Sequence, residues 1–388
     1  MHIPYGRQEV TDEDVDAVVR VLKSDFLTQG PVVKRFEAAV AGRVGAAYAT
    51  ASNSATSSLH IACLALGVGP GDRVWTSPIT FVASANCARY CGASVDFVDI
   101  DPDFYTLDPG ALRAKLESAR VSGTLPKVVI PVHLAGQPAD MPAIHELSRE
   151  YNFRIIEDAS HAIGGRCGNK PVGACEFSDI TVFSFHPVKI ITSGEGGMAV
   201  TNDPELARKM ALYNSHGITR DPAYLVNESH GGWYYEQTCL GFNYRMTDIQ
   251  AALGLSQMHR LDEYVSRRHQ LAVRYDAAFA GLPIVCPKRS AADYSGFHLY
   301  VIRLQSGASG PDRRTFFDRL RAENLGVNLH YIPVYRQPDF AQFNVLPADY
   351  PNAEAYYAEA VSLPLYPALS DEMQDHVIGC VRRALMPL

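Results

Sequence analysis

The chain has 388 residues, 47% of them hydrophobic and 20% charged, which is an ordinary globular composition with room for two or three domains. Its net charge of -7, without any run of like charges, argues against a nucleic-acid surface, because the phosphate backbone demands clustered Lys and Arg. The opening residues, MHIPYGRQEV, lack the apolar stretch of a signal peptide, and no apolar run is long enough to span a bilayer, so a cytoplasmic protein is expected. The cysteines Cys63, Cys87, Cys91, Cys167, Cys175, Cys239, Cys286 and Cys380 form no C-x-x-C pair, and neither a metal site nor a dithiol motif is expected.

In chain order, Thr11 to Lys23 reads as an amphipathic helix: Thr11 suits the N-cap, acids fill the first turn, and Val15, Val18, Val19 and Leu22 recur at helical spacing. A second helix is expected near 32–43. Short apolar strands follow at about 47–50, 74–76, 94–98, 127–132, 153–157, 180–185 and 197–201, with helices at 55–66, 109–118, 140–151 and 204–213 between them. Strands alternating with helices predict an α/β fold with a mostly parallel sheet covered on both faces. Thr247 to Gln250 has the capping-box pattern and opens a long helix expected to reach about residue 280. The order then changes to a strand (298–304), a helix (311–323) and two terminal helices near 351–360 and 371–385. A large domain over 1–245 and a smaller α+β domain within 246–388, joined by the long helix, are therefore expected.

In an open parallel sheet, ligands sit at the carboxyl ends of the strands. Three candidate groups fall there: Lys189 in FSFHPVKIITSGEGGMAV, Asp158 closing the strand in FRIIEDASHAIG, and the Ser/Thr-rich start of a helix in ASNSATSSLH. Singly, each has a plainer reading: a solvated lysine, a carboxylate helix cap and an ordinary N-cap. The phosphate-binding pattern G-x-x-x-x-G-K-[ST] is absent, and no G-x-G-x-x-G follows a strand, which removes support for nucleotide hydrolysis and dinucleotide binding. A reactive lysine, a strand-end carboxylate and helix-start amides are together what pyridoxal 5′-phosphate (PLP) requires. The lysine forms a Schiff base with its aldehyde, the carboxylate keeps the ring nitrogen protonated, and the amides hold its phosphate.

The segments EDASHAIG, FSFHPVKIITSGEGGMAVTND, SHGITRD, GFNYRMTDIQAALG and LHYIPVY resemble the DegT/DnrJ/EryC1/StrS family of sugar aminotransferases. The resemblance runs from YGRQEVTDEDVDAVV to VSLPLYP, nearly the whole chain. It implies the aspartate-aminotransferase (type I) fold of PLP enzymes, with a seven-stranded sheet, and a homodimer with active sites at the subunit interface. By the same resemblance Lys189 is the Schiff-base lysine, where dehydratases of the family carry histidine, Asp158 the partner of the ring nitrogen, and His161 the residue near the ring hydroxyl. Ala55 and Thr56 match the phosphate-binding helix start, where many relatives have Gly-Thr, and Ser184 matches a phosphate ligand. Phe81 matches the aromatic covering the ring, and Asn243 an asparagine that reaches the cofactor phosphate of the neighbouring subunit. The nucleotide sugar is implied at Tyr5, at Asp25, Phe26, Leu27 and Thr28, and at Asn328, Leu329, His330 and Tyr331.

Within the family, SDFLTQGP, NSATSSLHIACLALGVGPGD and FSFHPVK are most similar to the members that act in pseudaminic acid biosynthesis. That similarity implies amino transfer from L-glutamate to C4 of a UDP-linked 2-acetamido-2,6-dideoxy-4-hexulose. Two alternatives stay open: the same chemistry on another nucleotide-linked 4-keto-6-deoxy sugar, such as one of the GDP-perosamine or UDP-bacillosamine type, and a non-catalytic regulator on the same fold.

Overall fold

A computed structural model describes residues 2–305 and 310–386. The first helix, α1 (Asp12–Leu22), begins at the expected cap, where the Thr11 amide donates to Asp14 Oδ2 at 3.0 Å. Asp14 is fully buried, and the same oxygen also accepts from Gln257 at 2.7 Å and Arg260 at 2.5 Å. The second helix, α2 (Pro31–Val44), has Gly30 at its N-cap and Pro31 at its first position. Its unpaired amides are satisfied from a distance: Gly30 and Val32 donate to the two carboxylate oxygens of Asp248, at 2.7 and 2.8 Å. Two buried aspartates thus set how the N-terminal helices dock.

The central sheet has seven strands: β1 (Tyr48–Ser52), β2 (Arg73–Thr76), β3 (Ser94–Phe97), β4 (Val128–Ile130), β5 (Arg154–Asp158), β6 (Ile180–Ser184) and β7 (Gly197–Thr201), in the spatial order β1-β7-β6-β5-β4-β2-β3. All run parallel except β7, which is antiparallel to both β1 and β6. β6 and β7 are buried at every residue, as a sheet covered on both faces requires. Helices α3 (Ala55–Ala65), α4 (Ala83–Tyr90), α5 (Pro109–Ser122), α6 (Met141–Tyr151) and α7 (Pro204–Asn214) follow strands and cover the sheet. Register brings the functional ends together: Gly197, opening β7, lies opposite both Ser184 at the end of β6 and Ser52 at the end of β1.

The expected single helix over 247–280 is two helices, α8 (Asp248–Met258) and α9 (Leu261–Phe279). The capping box forms, with Thr247 Oγ1 accepting from the Gln250 amide at 3.2 Å and Gln250 Oε1 from the Thr247 amide at 2.9 Å. The break at His259–Arg260 needs no Gly or Pro, because Gln257 and Arg260 on either side of it turn back to Asp14.

Beyond it, β8 (Ile284–Val285), β9 (Tyr300–Leu304) and β10 (Ala360–Leu363) form an antiparallel sheet. A hydrophobic core unites that sheet with α9, α10 (Arg313–Ala322) and α12 (Asp371–Ala384), while α11 (Pro351–Glu359) immediately precedes β10. The fully buried Arg268 of α9 donates to the carbonyls of Phe297, His298 and Leu365 at 3.2, 3.1 and 2.9 Å, clamping the segment that carries His298 to a cavity at the sheet end. No described helix is long and apolar enough to cross a membrane.

Candidate active site

A cavity of about 1000 Å³ opens at the carboxyl ends of β1, β5 and β6, and Lys189, Asp158, His161 and Ser184 all line it. Lys189 follows β6 in a turn closed by its own amide donating to the His186 carbonyl at 2.9 Å. Burial lowers its amine from the ordinary lysine value to about 8, with the negative charge of Asp158 opposing that shift. Among the described residues these two groups make no ion pair within 4.0 Å, so the amine and the carboxylate face the cavity without neutralising one another directly. Asp158 Oδ1 accepts from the Ser160 amide at 3.1 Å and Oδ2 from the Ser84 hydroxyl at 2.6 Å.

At one end of the cavity, Ser54 caps α3 and accepts from the Ser57 amide at 3.1 Å. The amides of Ala55 and Thr56, in the first turn, have no acceptor among the described residues, and a helix start of this kind favours an anion. Its approach to the sheet depends on Gly197: a β-carbon there would lie 2.4 Å from the Ser54 carbonyl oxygen and 2.5 Å from the Ala55 amide nitrogen. The Ser184 hydroxyl, at the facing strand end, borders the same cavity.

Histidines and tyrosines form the other wall. His161 Nδ1 accepts from the Ala135 amide at 3.2 Å, which leaves Nε2 to donate to the Tyr331 hydroxyl at 3.2 Å. Burial, with Lys189 and His330 nearby, holds the His161 imidazole well below its usual range and therefore neutral. His330, pushed down to about 3 by burial and Lys189, accepts or donates at Ser362 Oγ, 2.8 Å from its Nδ1. Burial raises the Tyr331 and Tyr5 hydroxyls, so both remain protonated. Asn328 and Leu329 complete this wall, and Phe81, half-exposed at the mouth, points its ring toward that of Tyr331 at 6.1 Å.

Twelve of the residues singled out in the sequence therefore share one cavity. Asp25, Phe26, Leu27 and Thr28 do not; they are exposed in the connection between α1 and α2, with Thr28 bridged to Thr247. Asn243 is likewise exposed and outside the cavity of its own chain, paired to Ser215. Sequence reasoning missed Ser84, Thr80 and His298, which also border the cavity or its carboxylate. A lone serine within a helix carries no sequence signal, and His298 reaches the site from the far end of the chain, held there by the Arg268 clamp.

These features fit PLP: an amine of lowered pKa for the aldehyde, a buried carboxylate for the ring nitrogen, and unpaired amides for the phosphate. Comparison with known proteins agrees. The sequence model of the DegT/DnrJ/EryC1/StrS aminotransferase family matches residues 8–382. The chain is 40% identical to the spore coat polysaccharide biosynthesis protein SpsC of Bacillus subtilis (strain 168), covering 98% of this chain and 96% of that one. In structure it is similar to Helicobacter pylori PseC, an aminotransferase involved in the biosynthesis of pseudaminic acid, with a TM-score of 0.89, 30% identity and 99% of both chains covered. It is also similar to Spr1654 of Streptococcus pneumoniae in its PLP-form, with a TM-score of 0.88, 29% identity and 100% of both chains covered; the PMP-form of that protein matches at the same TM-score. The fold is thus that of the type I PLP aminotransferases. The chain belongs to the DegT/DnrJ/EryC1/StrS aminotransferase family and is a PLP-dependent sugar aminotransferase.

Proposed function

We propose that the protein moves an amino group from L-glutamate to C4 of UDP-2-acetamido-2,6-dideoxy-β-L-arabino-hex-4-ulose, the transamination of pseudaminic acid biosynthesis. The likeness to Helicobacter pylori PseC over 99% of both chains carries this reading. The reaction takes place in the cytoplasm, where the charged sugar nucleotide and the amino donor meet without crossing a membrane. The working unit is a homodimer with shared sites, and the exposure of Asn243, away from its own cavity, supports that arrangement.

Bound PLP supplies an aldehyde that takes up the amino group and a ring that holds the electrons released when a proton leaves carbon. The chain supplies the rest. Lys189, with its amine near 8, changes protonation at working pH and carries the proton away from the donor carbon and, in the second half of the cycle, back to the sugar carbon. Asp158 keeps the ring nitrogen charged, while the neutral His161 orients Tyr331. The Ala55 and Thr56 amides and Ser184 hold phosphate, Phe81 covers the ring, and Asn243 reaches the partner's site. Tyr5, Asp25–Thr28 and Asn328–Tyr331 orient the sugar so that C4 meets the reacting nitrogen. Glutamate leaves as 2-oxoglutarate and the ketone leaves as an amine.

A second reading is favoured by the higher identity, 40%, to a protein of spore coat polysaccharide biosynthesis: the same transfer to another nucleotide-linked 4-keto-6-deoxy sugar. Turnover of the holoenzyme with the UDP sugar, its C5 epimer and a GDP-4-keto-6-deoxy sugar, with products identified by NMR, separates the two. Preference for the C5 epimer or for the GDP sugar overturns the first reading and promotes the second. A site that hydrogen-bonds one ring substituent rejects analogues lacking it, whereas shape alone discriminates by only about 1–3 kcal/mol per methylene.

A further inference from the structure

Behind Asp158 lies a chain of two hydroxyls, those of Ser84 and Thr80, to which the proposed chemistry assigns no role. Ser84, on the first turn of α4 and fully buried, places Oγ 2.6 Å from Asp158 Oδ2. Thr80, also buried, places Oγ1 2.7 Å from Ser84 Oγ. The direction of these bonds follows from counting protons. An ionised carboxylate only accepts, so Ser84 gives it its single proton. The Phe81 carbonyl also lies 3.3 Å from Ser84 Oγ, but one proton makes one strong bond, and the contact to Asp158 is much shorter. Ser84 then offers Thr80 only lone pairs, so Thr80 is the donor. The chain runs from Thr80 to Ser84 to Asp158 with every donor pointing the same way, and in a dry interior such bonds polarise and reinforce one another.

We infer that Ser84 is a positioning residue that fixes the Asp158 carboxylate and aims it at the cofactor's ring nitrogen, with Thr80 strengthening it from behind. This inference rests on Asp158 being the partner of that nitrogen. One proton is shared between a ring nitrogen and a carboxylate, and a hydrogen bond to the charged carboxylate favours leaving the proton on the nitrogen. Without Ser84 the proton moves toward Asp158, and the ring becomes a poorer acceptor of electrons. The turn from Thr80 to Ser84 also carries Phe81 to the cavity mouth, so one five-residue segment would both cover the ring and support its carboxylate.

The test is ¹⁵N NMR, at one fixed pH, of holoprotein loaded with PLP labelled at the ring nitrogen. In Ser84→Ala the resonance should move toward the neutral-pyridine position. The half-reaction rate at saturating donor should fall about tenfold or more, the scale of a hydrogen bond to a charged group, with KM little changed. Ser84→Thr should keep both near wild type, and Thr80→Val should move both in the same direction as Ser84→Ala, by less. Asp158→Asn is the control. If it moves the resonance and Ser84→Ala does not, the inference about Ser84 is overturned while the role of Asp158 stands. If Asp158→Asn leaves the resonance in place, the role of Asp158 falls and the inference falls with it. Thermal unfolding of the apoproteins reports folding separately; should Ser84→Ala fail to fold, a wild-type resonance in Thr80→Val overturns the inference.

Discussion

A β-carbon on Gly197 would lie 2.5 Å from the amide nitrogen of Ala55, so the start of β7 and the start of α3 touch backbone to backbone. This contact brings the free amides of α3 to the sheet end where Ser184 stands. Gly197→Ala must push the helix start away, and overpacking of this kind costs about 1–3 kcal/mol. The variant should fold with a lowered melting temperature and bind PLP at least about tenfold more weakly, since about 1.4 kcal/mol corresponds to that factor. Absorbance titration of the apoprotein measures the affinity. An unchanged dissociation constant would show that the first turn of α3 does not hold the phosphate.

Lys189 is the lysine lining the cavity with Asp158, and its burial sets it apart from a solvated surface amine. Borohydride reduction of the holoprotein followed by peptide mapping should find the pyridoxyl group on Lys189. Lys189→Ala should fold, hold PLP without a covalent link, and lose transamination by several orders of magnitude. A pyridoxyl group on any other lysine refutes the assignment.

The lowered pKa of Lys189 makes a prediction about pH. With a value near 8, about a tenth of the amine is neutral at pH 7, against well under a thousandth for an ordinary lysine near 10.4. The rate at which apoprotein links covalently to PLP, corrected with a small-molecule amine for the cofactor's own titration, should rise with pH and level off above about 9. A rate still climbing several-fold between pH 9 and pH 10 would mean an amine in water, with an ordinary lysine value near 10.4. The same shift affects stability. Between about 8 and 10.4 the unfolded chain holds a proton at this lysine that the folded chain has lost, so this residue's contribution to stability rises with pH across that window. Lys189→Met should remove that contribution, which denaturant titrations of the apoproteins at both ends of the window would show.

Much of this was legible in the chain itself, for identifiable reasons. Lys189 and Asp158 announce themselves because a parallel sheet puts its ligands at strand ends, and the alternation of strands and helices declares such a sheet. The helix α4 escapes notice because ASANCARY has small residues rather than an apolar stripe, and it packs by closeness of approach. The break between α8 and α9 is invisible locally because its cause, Asp14, lies more than two hundred residues away in sequence. Ser84 is hidden for the same reason, since only the folded chain brings it to Asp158. By resemblance Asp25–Thr28 belong with the cavity residues, yet a single chain leaves them in an exposed loop.

That exposure, shared by Asn243, is what a site completed by a second subunit requires, and it can be tested by complementation. Lys189→Ala should be inactive alone, as should an Asn243 variant that abolishes turnover. If Asn243 serves the neighbouring subunit, a heterodimer of the two has one site carrying both lesions and one site carrying neither. With free exchange and equal amounts, about a quarter of all sites should be intact, because half of the dimers are mixed and each has one sound site. Activity near that level, measured after subunit exchange has been verified by mass-tagged chains, places Asn243 in the partner's site. If the mixture stays inactive despite proven exchange, Asn243 acts within its own chain or not at all, and the shared-site arrangement must be abandoned for this residue.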